Sequence, residues 1–270
     1  RSIESSHAKN VISPIAHKLE QISENQWKQI ILNKEILDNN RGKEADFAVV
    51  IGGDGTLLRA FKQFIFKENF YVIAINAGSL GFLTEIKREN IFEEYDNFLN
   101  NNFKYETRYI LEAKIKEKTY YALNEIVVSK DGITSRVLRI AFTANDEYMC
   151  TYKGDGVIVA TPTGSTAYSM SAGGPILKSS MKAMVITPIA PHNLNTRPIV
   201  IGGDEILELQ MADRERTGQV IVDGQVSEEI DSNTTIEIEY SKMRLNLVIP
   251  KNRNYYSVLR EKLKWGDNLC

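Results

Sequence analysis

Cysteine is scarce in this chain, and so is a surplus of charge of either sign. Two cysteines, Cys150 and Cys270, are too few for a disulfide framework or for a four-ligand zinc site. Their number is typical of a reducing compartment, so we expect a cytoplasmic protein. The 33 lysine and arginine residues balance 35 aspartate and glutamate residues, which gives a net charge of −2. A chain without a broad basic surface is a poor nucleic-acid binder, so we expect phosphate contacts to be local.

Long apolar runs are absent as well. The mean hydropathy is −0.27, and no uninterrupted apolar stretch approaches the ~18 residues of a membrane-spanning helix. We therefore expect no membrane partner. No secretory signal is visible at the start, where the chain opens on Arg1 instead of Met, which favours a fragment. The 270 residues suffice for one large domain or two ordinary ones.

An α/β pattern occupies residues 1–103. Apolar residues between Val11 and Ile22 recur at three- and four-residue steps, which is typical of one helical face. Residues 47–51 and 71–75 are continuous apolar runs, which indicate strands buried on both faces. Helical stretches are predicted from Leu57 to Ile65 and from about residue 90 to residue 98. The order strand, helix, strand predicts a mostly parallel sheet.

A different pattern begins near residue 104, where short alternating runs are separated by turn-forming residues. They predict an all-β sandwich or barrel of antiparallel strands. The runs are Arg108–Ile115, Tyr120–Val128, Leu138–Thr143, Val157–Ala160, Ile206–Met211, Gln219–Val222, Thr235–Tyr240 and Leu245–Ile249. The last segment, Tyr255–Trp265, returns to helical spacing.

A glycine-rich turn, Gly52-Gly53-Asp54-Gly55-Thr56, joins the first buried strand to a helix. Glycines let a ligand approach the backbone, and a helix start offers N–H groups to an anion. The turn lacks the Gly-Lys-Ser/Thr ending of a Walker loop and the third glycine of the dinucleotide fingerprint. What remains is a carboxylate at the ligand-binding end of a parallel strand. The alternative is that Asp54 only caps the helix.

A second Gly-Asp-Gly, residues 154–156, lies in the β-rich part behind Lys153. Because Asp-Gly favours hairpins, a hairpin turn is the ordinary interpretation. The following stretch, Thr161–Pro175, is rich in hydroxyl groups and glycine and carries no charge. Such residues suit hydrogen bonds to a nucleotide, so a ligand-lining role is favoured over a plain loop.

Two further polar features interrupt the apolar strands. Asn124-Glu125 precedes a β-branched run, where polar groups are costly unless they find partners; a bulge or an edge position is the alternative. The loop Asn76–Thr84 follows the second buried strand and is either a ligand element or a plain connection to a helix.

Hydrolase and metal-cage chemistry are not indicated. Ser165 does not lie in a Gly-x-Ser-x-Gly elbow, and His192 is a single histidine beside prolines. The chain has no histidine or cysteine cage, so we expect any metal to be Mg²⁺ held by carboxylates and phosphates.

Taken together, these motifs resemble the NAD kinase family. Residues 52–56 resemble its GGDGT signature, residues 76–83 its NxGxLGFL loop, residues 124–125 its NE dipeptide, and residues 155–175 its glycine-rich signature. Residues 188–198 resemble the segment that follows. GGDGT alone is shared with diacylglycerol-type lipid kinases and has a near relative in phosphofructokinases, whereas the whole series in this order is specific.

The resemblance implies transfer of a phosphoryl group from ATP, or from polyphosphate, to the 2′-hydroxyl of the adenosine ribose of NAD, giving NADP. It implies that Asp54 is the catalytic base and that Mg²⁺ near Asp54 is held mainly by phosphates. The implied NAD-binding residues are Asp54, Gly55, Asn124, Glu125, Lys153, Asp155, Thr166, Ala167, Tyr168, Ser171 and Gln225. The implied contacts to the phosphates of ATP are Gly52, Gly53, Gly55 and Thr56.

The resemblance also implies a fold and an assembly. Residues 1–103 would form an α/β domain like that of phosphofructokinase and diacylglycerol kinase, joined by the helix within residues 250–270. Residues 104–249 would form a β-sandwich that binds NAD, in a homodimer or homotetramer. One departure is that the strand with which the family usually opens is not legible before Val11.

Two other classes of function remain open. A lipid kinase would use the same glycine-rich turn, but should show a hydrophobic entrance instead of the polar loop Thr161–Gly174. A non-catalytic dinucleotide sensor would bind NAD and leave it unchanged in the presence of Mg-ATP.

Overall fold

A computed structural model describes residues 47–63, 70–78, 81–100, 102–132, 136–213 and 216–264. The helical face expected between Val11 and Ile22, and the predicted helix end at Phe64 and Ile65, lie outside the described residues. The chain divides into two compact units, one made of Arg1–Glu106 and Leu245–Cys270 and the other of Thr107–Arg244. No helix within the described ranges is long and apolar enough to cross a membrane.

The elements of the described residues follow in chain order. The helices are α1 (Asp54–Ala60), α2 (Ile91–Leu99), α3 (Tyr168–Ser171) and α4 (Tyr255–Leu263). The strands are β1 (Phe47–Gly52), β2 (Tyr71–Asn76), β3 (Ile86–Lys87), β4 (Lys104–Ile115), β5 (Lys118–Ala122), β6 (Glu125–Lys130), β7 (Leu138–Ala144), β8 (Glu147–Gly154), β9 (Gly156–Ala160), β10 (Ala183–Ile189), β11 (Ile199–Gly202), β12 (Leu207–Met211), β13 (Gly218–Val222), β14 (Val226–Ile230) and β15 (Thr235–Ile249).

Parallel strands form the centre of the first unit. β2 pairs in parallel with β1 on one side and with residues 246–248 of β15 on the other, and β3 pairs with the end of β2. These strands bury Phe47, Ile73, Ile75 and Val248 in one cluster. The apolar runs in the sequence therefore predicted both buried strands of this unit and their parallel pairing correctly.

The segment before α4 is tied to the first unit by a buried ionic group. Arg253 forms ion pairs with Glu85 and Glu106, and the side chains of Arg253 and Glu85 are almost completely buried. The helix then begins at a polar cap, because the side chain of Asn254 accepts hydrogen bonds from the N–H groups of the first turn. It ends at Lys264, which has a left-handed backbone with φ 51°.

Antiparallel strands make up the second unit. One sheet has the order β11-β10-β9-β6-β13-β14, and a second group has the order β15-β12-β7-β8 with β4 paired to β15 and β5. Side chains from both groups enter one buried core, in which Leu111, Phe142 and Leu209 face Ile126 and Val159. The apolar residues of the alternating runs in the sequence form this shared core.

Several strand predictions need correction. Strands β3, β8, β10, β11 and β14 are absent from the predicted set, because their polar residues, a proline or their short length mask the alternation. The predicted run Tyr120–Val128 is two strands, β5 and β6, separated by Leu123 and Asn124. The predicted runs in residues 235–240 and 245–249 are one strand, since residues 241–244, three of which are polar, continue in extended conformation.

Candidate active site

The glycine-rich turn places Asp54 at the first residue of α1, where it does not act as a cap. The N-cap residue is Gly53, without a side-chain hydrogen bond. The Oδ1 atom of Asp54 accepts hydrogen bonds from the N–H groups of Leu83 (3.1 Å) and Thr84 (3.0 Å) and from the Thr84 hydroxyl (3.0 Å). Oδ2 accepts one from the Phe82 N–H at 2.8 Å. The alternative interpretation of Asp54 as a helix cap is therefore wrong.

The two oxygens of the Asp54 carboxylate are unequally occupied. A carboxylate offers about four lone-pair positions, two on each oxygen. Among the described residues, Oδ1 has three donors and Oδ2 has one. The carboxylate is therefore held in one orientation, and its remaining capacity to accept a proton or a hydrogen bond is on Oδ2.

The loop that follows β2 is a support for this carboxylate. Asn76 Nδ2 donates to the carbonyl and to the hydroxyl oxygen of Thr84, both at 3.2 Å, and Asn76 Oδ1 accepts the N–H of Gly78 at 2.8 Å. A Cβ atom on Gly81 would overlap the Asp54 carboxylate. The glycine at position 81 is thus required by the close approach of Asp54, and the loop is more than a connection to the next helix.

The backbone of the turn is open at two of its glycines. A Cβ atom on Gly53 or on Gly55 would meet no described atom within 4 Å, so a ligand can reach the main chain there. Gly52 differs, because a Cβ atom on it would overlap the side chain of Thr56. Gly52 and Thr56 shape the turn from within, whereas Gly53 and Gly55 face free space on either side of Asp54.

In the second unit, the Asn124-Glu125 pair lies where β5 ends and β6 begins. Asn124 and Glu125 are 9% and 7% exposed, so their polar groups need partners. Asp223 supplies partners to the backbone: it accepts hydrogen bonds from the N–H groups of Leu123 (2.9 Å), Asn124 (2.8 Å) and Glu125 (3.1 Å). The pair is therefore held by a carboxylate, and the interpretation as a bulge or an edge position is wrong, because β6 pairs on both sides.

Glu125 is a buried acid with an unusual proton affinity. Burial and, to a smaller extent, the nearby carboxylate of Asp223 raise the pKa of Glu125 to about 8, and a hydrogen bond from the Tyr168 N–H opposes this rise. Its Oε2 atom has no hydrogen-bond partner among the described residues. Such an atom is a candidate to meet a polar group of a ligand.

The hydroxyl-rich loop holds itself in place through its buried members. Thr161 donates from its hydroxyl to the Leu123 carbonyl (2.6 Å) and from its N–H to the Asn124 carbonyl (2.8 Å). A Cβ atom on Gly164 would overlap the backbone of Asn124. Ser165 is fully buried and bonds to the backbone of Pro162, which also argues against a nucleophile at this position.

The candidate ligand-lining residues of this loop are the accessible ones. Thr166 and Ala167 are half-buried, and Tyr168 and Ser171 are exposed. Ser169, between them, is buried and shares a hydrogen bond of 2.8 Å with the hydroxyl of Thr187. Some of the hydroxyl-bearing residues of this loop are therefore accessible and others are buried. Because the Tyr168 N–H donates a hydrogen bond to Glu125, the accessible residues lie next to that side chain.

The second Gly-Asp-Gly is a corner between sheets. β8 pairs with β7 whereas β9 pairs with β10 and β6, so the ordinary interpretation of residues 154–156 as a hairpin turn is wrong. A Cβ atom on Gly156 would overlap the Val128 carbonyl, and one on Gly154 would lie 2.8 Å from the Ile189 carbonyl, so both glycines allow close backbone approach. Asp155, between them, forms an ion pair of 2.9 Å with Lys130.

The structure does not bring all the sequence-predicted residues of the second unit together. Asp155 precedes Gly156, which pairs with Ser129, four residues along β6 from Glu125. At ~3.4 Å per residue, this separation is about 14 Å. Lys153 is exposed beside Asp155, at the same end of the strands. Gln225 is exposed in the turn that contains Asp223, at the end where Glu125 lies.

Sequence reasoning missed Thr84, which holds the Asp54 carboxylate, and Asp223, which holds the backbone that carries Asn124 and Glu125. Asp223 was visible only as the first residue of an Asp-Gly turn, and its φ of +50° confirms that turn. Nothing local indicates that its side chain meets residues about 100 positions away. No group of three or more histidine, cysteine, aspartate or glutamate side chains suited to a metal occurs in the described part of the chain.

Comparisons with known proteins agree with these features. A family model described as the ATP-NAD kinase N-terminal domain matches residues 3–103, and one described as the C-terminal domain matches residues 123–249. The NAD kinase of Fusobacterium nucleatum subsp. nucleatum is 49% identical over 236 residues, which cover 87% of this chain and 88% of that protein. The NAD kinase of Caldicellulosiruptor saccharolyticus is 36% identical over 256 residues, covering 95% of this chain and 96% of that protein.

Solved structures have the same fold. The crystal structure of yeast NADH kinase complexed with NADH has a TM-score of 0.78 at 24% identity and covers 84% of this chain and 69% of that one. The crystal structure of an NAD kinase from Archaeoglobus fulgidus in complex with ATP has a TM-score of 0.69 at 28% identity, with 84% and 86% covered. By its sequence motifs, its fold and these relatives, the chain belongs to the NAD kinase family.

Proposed function

We propose that this NAD kinase transfers the γ-phosphoryl group of ATP to the 2′-hydroxyl of the adenosine ribose of NAD, giving NADP and ADP. The observation that carries the proposal is the Asp54 carboxylate, which four donors hold in one orientation beside glycines whose backbone is open. Phosphoryl transfer depends mainly on positioning and on neutralisation of charge, and this turn offers both.

Asp54 is the proposed base. Its Oδ2 atom has one donor among the described residues and can accept the proton of the ribose hydroxyl. The donors Phe82, Leu83 and Thr84 fix the carboxylate, so little reorganisation is needed when the hydroxyl arrives. The proton goes to Oδ2 while the hydroxyl oxygen forms its bond to phosphorus and the bond to ADP breaks.

The open backbone of Gly53 and Gly55 is the proposed contact for the phosphates of ATP, with Gly52 and Thr56 shaping the turn. The described residues offer no cluster of carboxylates that could hold a metal ion alone. A Mg²⁺ ion at this turn would therefore be held mainly by phosphate oxygens and water. When bound, it would neutralise charge on the transferred group. The residues of the chain would orient the acceptor and take its proton.

NAD binding is assigned to the second unit. Asn124 and Glu125 are proposed to hold the ribose, because both are buried, fixed by their backbone and polar. The accessible residues Thr166, Ala167, Tyr168 and Ser171 are proposed to line the adenine and ribose pocket. The contact between the Tyr168 N–H and Glu125 supports one continuous binding surface for these residues. We thus propose that the second unit is a β-sandwich that binds NAD and that the first is the α/β unit.

Asp155 and Lys153 are proposed to reach NAD from a second copy of the chain. About 14 Å of strand lies between Glu125 and the residue next to Asp155, so the two side chains would meet different parts of NAD, and the exposed surface near Lys153 is what favours a second copy. The backbone carbonyl of Lys153 accepts a hydrogen bond from His192, and Leu194, two residues later, is 88% exposed. Ile199 and Val200 on the edge strand β11 are also exposed. Apolar residues exposed on an edge strand favour self-association.

Conversion of NAD tests the proposed reaction. The protein is incubated with NAD and Mg-ATP, and NADP is detected with an NADP-specific dehydrogenase. We expect NADP in the wild type and little in Asp54→Asn, with Asp146→Asn, an exposed aspartate in a turn, as the control at wild-type rate. NAD binding without NADP would favour a dinucleotide sensor. Replacing ATP by polyphosphate in the same assay identifies the donor.

Subunit mixing tests the shared site. Asp155→Asn and Glu125→Gln are each expected to impair NAD use, and a mixture refolded together should regain activity, because mixed assemblies contain some sites with neither substitution. Light scattering should give a mass of two or four chains. A monomer, or a mixture no more active than its separate components, contradicts the proposal that Asp155 acts from a second copy.

Gln225 lies beside Asp223, and its proposed NAD contact is within the same chain.

A further inference from the structure

Asp223 forms more hydrogen bonds than its position in a turn requires. Its Oδ1 atom accepts the N–H groups of Asn124 and Glu125, and its Oδ2 atom accepts the N–H of Leu123. In return, the Asp223 N–H donates to the Glu125 carbonyl at 3.0 Å. The turn of Asp223 and the start of β6 therefore clamp each other by side chain and by backbone.

The clamp acts on a segment that the sheets do not hold on their own. Leu123 and Asn124 lie between β5 and β6, which belong to different sheets, so neither residue is in a strand. Three consecutive buried N–H groups would be costly without acceptors. Asp223 satisfies all three with one side chain 6% exposed, and it is fixed in turn by a backbone with φ +50°.

We propose that Asp223 is a positioning residue for NAD binding: by holding the backbone of residues 123–125, it sets the orientation of the Asn124 and Glu125 side chains toward the nucleotide. The inference rests on the ribose-binding role proposed for Asn124 and Glu125. The proposed role is indirect: the carboxylate of Asp223 accepts three backbone hydrogen bonds, and its effect would reach NAD through Asn124 and Glu125.

A second property of the same contact supports this role. The negative charge of Asp223 faces Glu125 and adds to the effect of burial in raising the pKa of that carboxyl, and the Tyr168 N–H is the group that opposes it. The proton on Glu125 is therefore controlled partly by Asp223. Replacement of Asp223 by a neutral residue should therefore change the ionisation of Glu125 as well as the hydrogen bonds of the turn.

Asp223→Asn is the test, since asparagine has the same shape and also tolerates a positive φ. It removes the charge and leaves one acceptor oxygen in place of two. We expect the KM for NAD to rise on the order of tenfold, with kcat and the KM for ATP changed less than about threefold. Ionisation of Glu125 should produce an inflection in the plot of kcat/KM for NAD against pH. In Asp223→Asn this inflection should move to lower pH, because the repulsion by Asp223 is gone.

Asp146→Asn is the matched control, because Asp146 has a φ of 65° and is exposed in the turn between β7 and β8. It should leave KM, kcat and the pH profile unchanged. The proposal is overturned if Asp223→Asn lowers kcat without raising the KM for NAD, or if the inflection stays at the wild-type pH in a folded protein.

Two more variants separate this inference from the proposed roles it rests on. Asn124→Ala and Glu125→Gln should each raise the KM for NAD, and Glu125→Gln should abolish the inflection. If they do not, the assignment of Asn124 and Glu125 to NAD fails, and with it the role of Asp223. If they do while Asp223→Asn behaves as wild type, only the positioning role is wrong.

Discussion

The two candidate carboxylates of this protein are held in opposite ways. Asp54 in the first unit receives four hydrogen bonds on its side chain, whereas Glu125 in the second unit is buried with an oxygen that has no hydrogen-bond partner among the described residues. Four donors hold the Asp54 carboxylate in one orientation, whereas burial beside Asp223 disfavours the charged form of Glu125. Two acids with different surroundings can therefore divide the work, one accepting a proton and the other binding substrate.

Removing the charge of Asp54 should have the largest effect. Asp54→Asn replaces the proposed base by an amide of the same shape, so we expect kcat to fall on the order of 10²- to 10⁴-fold. NAD binding should remain, because the proposed ribose contacts lie in the second unit. Initial rates of NADP formation measure the loss. A kcat within about threefold of the wild type would remove Asp54 from the chemistry.

Moving the Asp54 carboxylate without changing it should have the next largest effect. A Cβ atom on Gly81 overlaps this carboxylate, so Gly81→Ala forces it out of its place, and misplacement of about 1 Å can cost on the order of 10²-fold in rate. Gly78→Ala, in the same loop, is the control, since a Cβ atom there meets no described atom within 4 Å. Equal kcat values for the two variants would contradict the need for a fixed carboxylate.

Glu125→Gln should act on binding more than on chemistry. We expect the KM for NAD to rise about tenfold and kcat to fall less than that, because the amide keeps the shape of the side chain and alters its hydrogen bonding. Steady-state kinetics with NAD as the varied substrate give both constants. A larger fall in kcat than rise in KM would move Glu125 toward the reacting atoms.

The pH dependence of stability offers a smaller, independent comparison. Because the pKa of Glu125 is raised to about 8 in the folded protein, the folded state binds a proton that the unfolded state has already lost above its ordinary pKa of 4.5. The free energy of unfolding should thus fall as pH rises through this window, by a few kcal/mol at most. Urea titrations between about pH 5 and pH 9 should show a smaller fall in Glu125→Gln. An equal fall in both proteins would mean that Glu125 is not a buried, protonated acid.

The sequence predicted the strands, turns and motifs of both regions better than it predicted their contacts. The strand, turn and helix around Asp54 were predicted from apolar runs and glycines, which are local signals. The donors to Asp54 come from residues 28 to 30 positions away, and those to Asp223 from about 100 positions away. No local pattern encodes such contacts.

The alternative interpretation of residues 154–156 as a hairpin fails for the same reason. An Asp-Gly pair favours a tight turn, but whether the flanking strands pair with each other is decided by the sheets around them. Here, the close approach of Gly156 to the Val128 carbonyl directs the chain from one sheet to the other. Local turn preference is thus weaker than the pairing of the strands.

Equilibrium binding of NAD to Asp54→Asn and to Glu125→Gln, measured by titration calorimetry without ATP, tests the division of work most directly. The account predicts that Asp54→Asn binds NAD within about threefold of the wild-type Kd, and that Glu125→Gln binds about tenfold more weakly. The reverse order, with binding lost in Asp54→Asn and kept in Glu125→Gln, would contradict it.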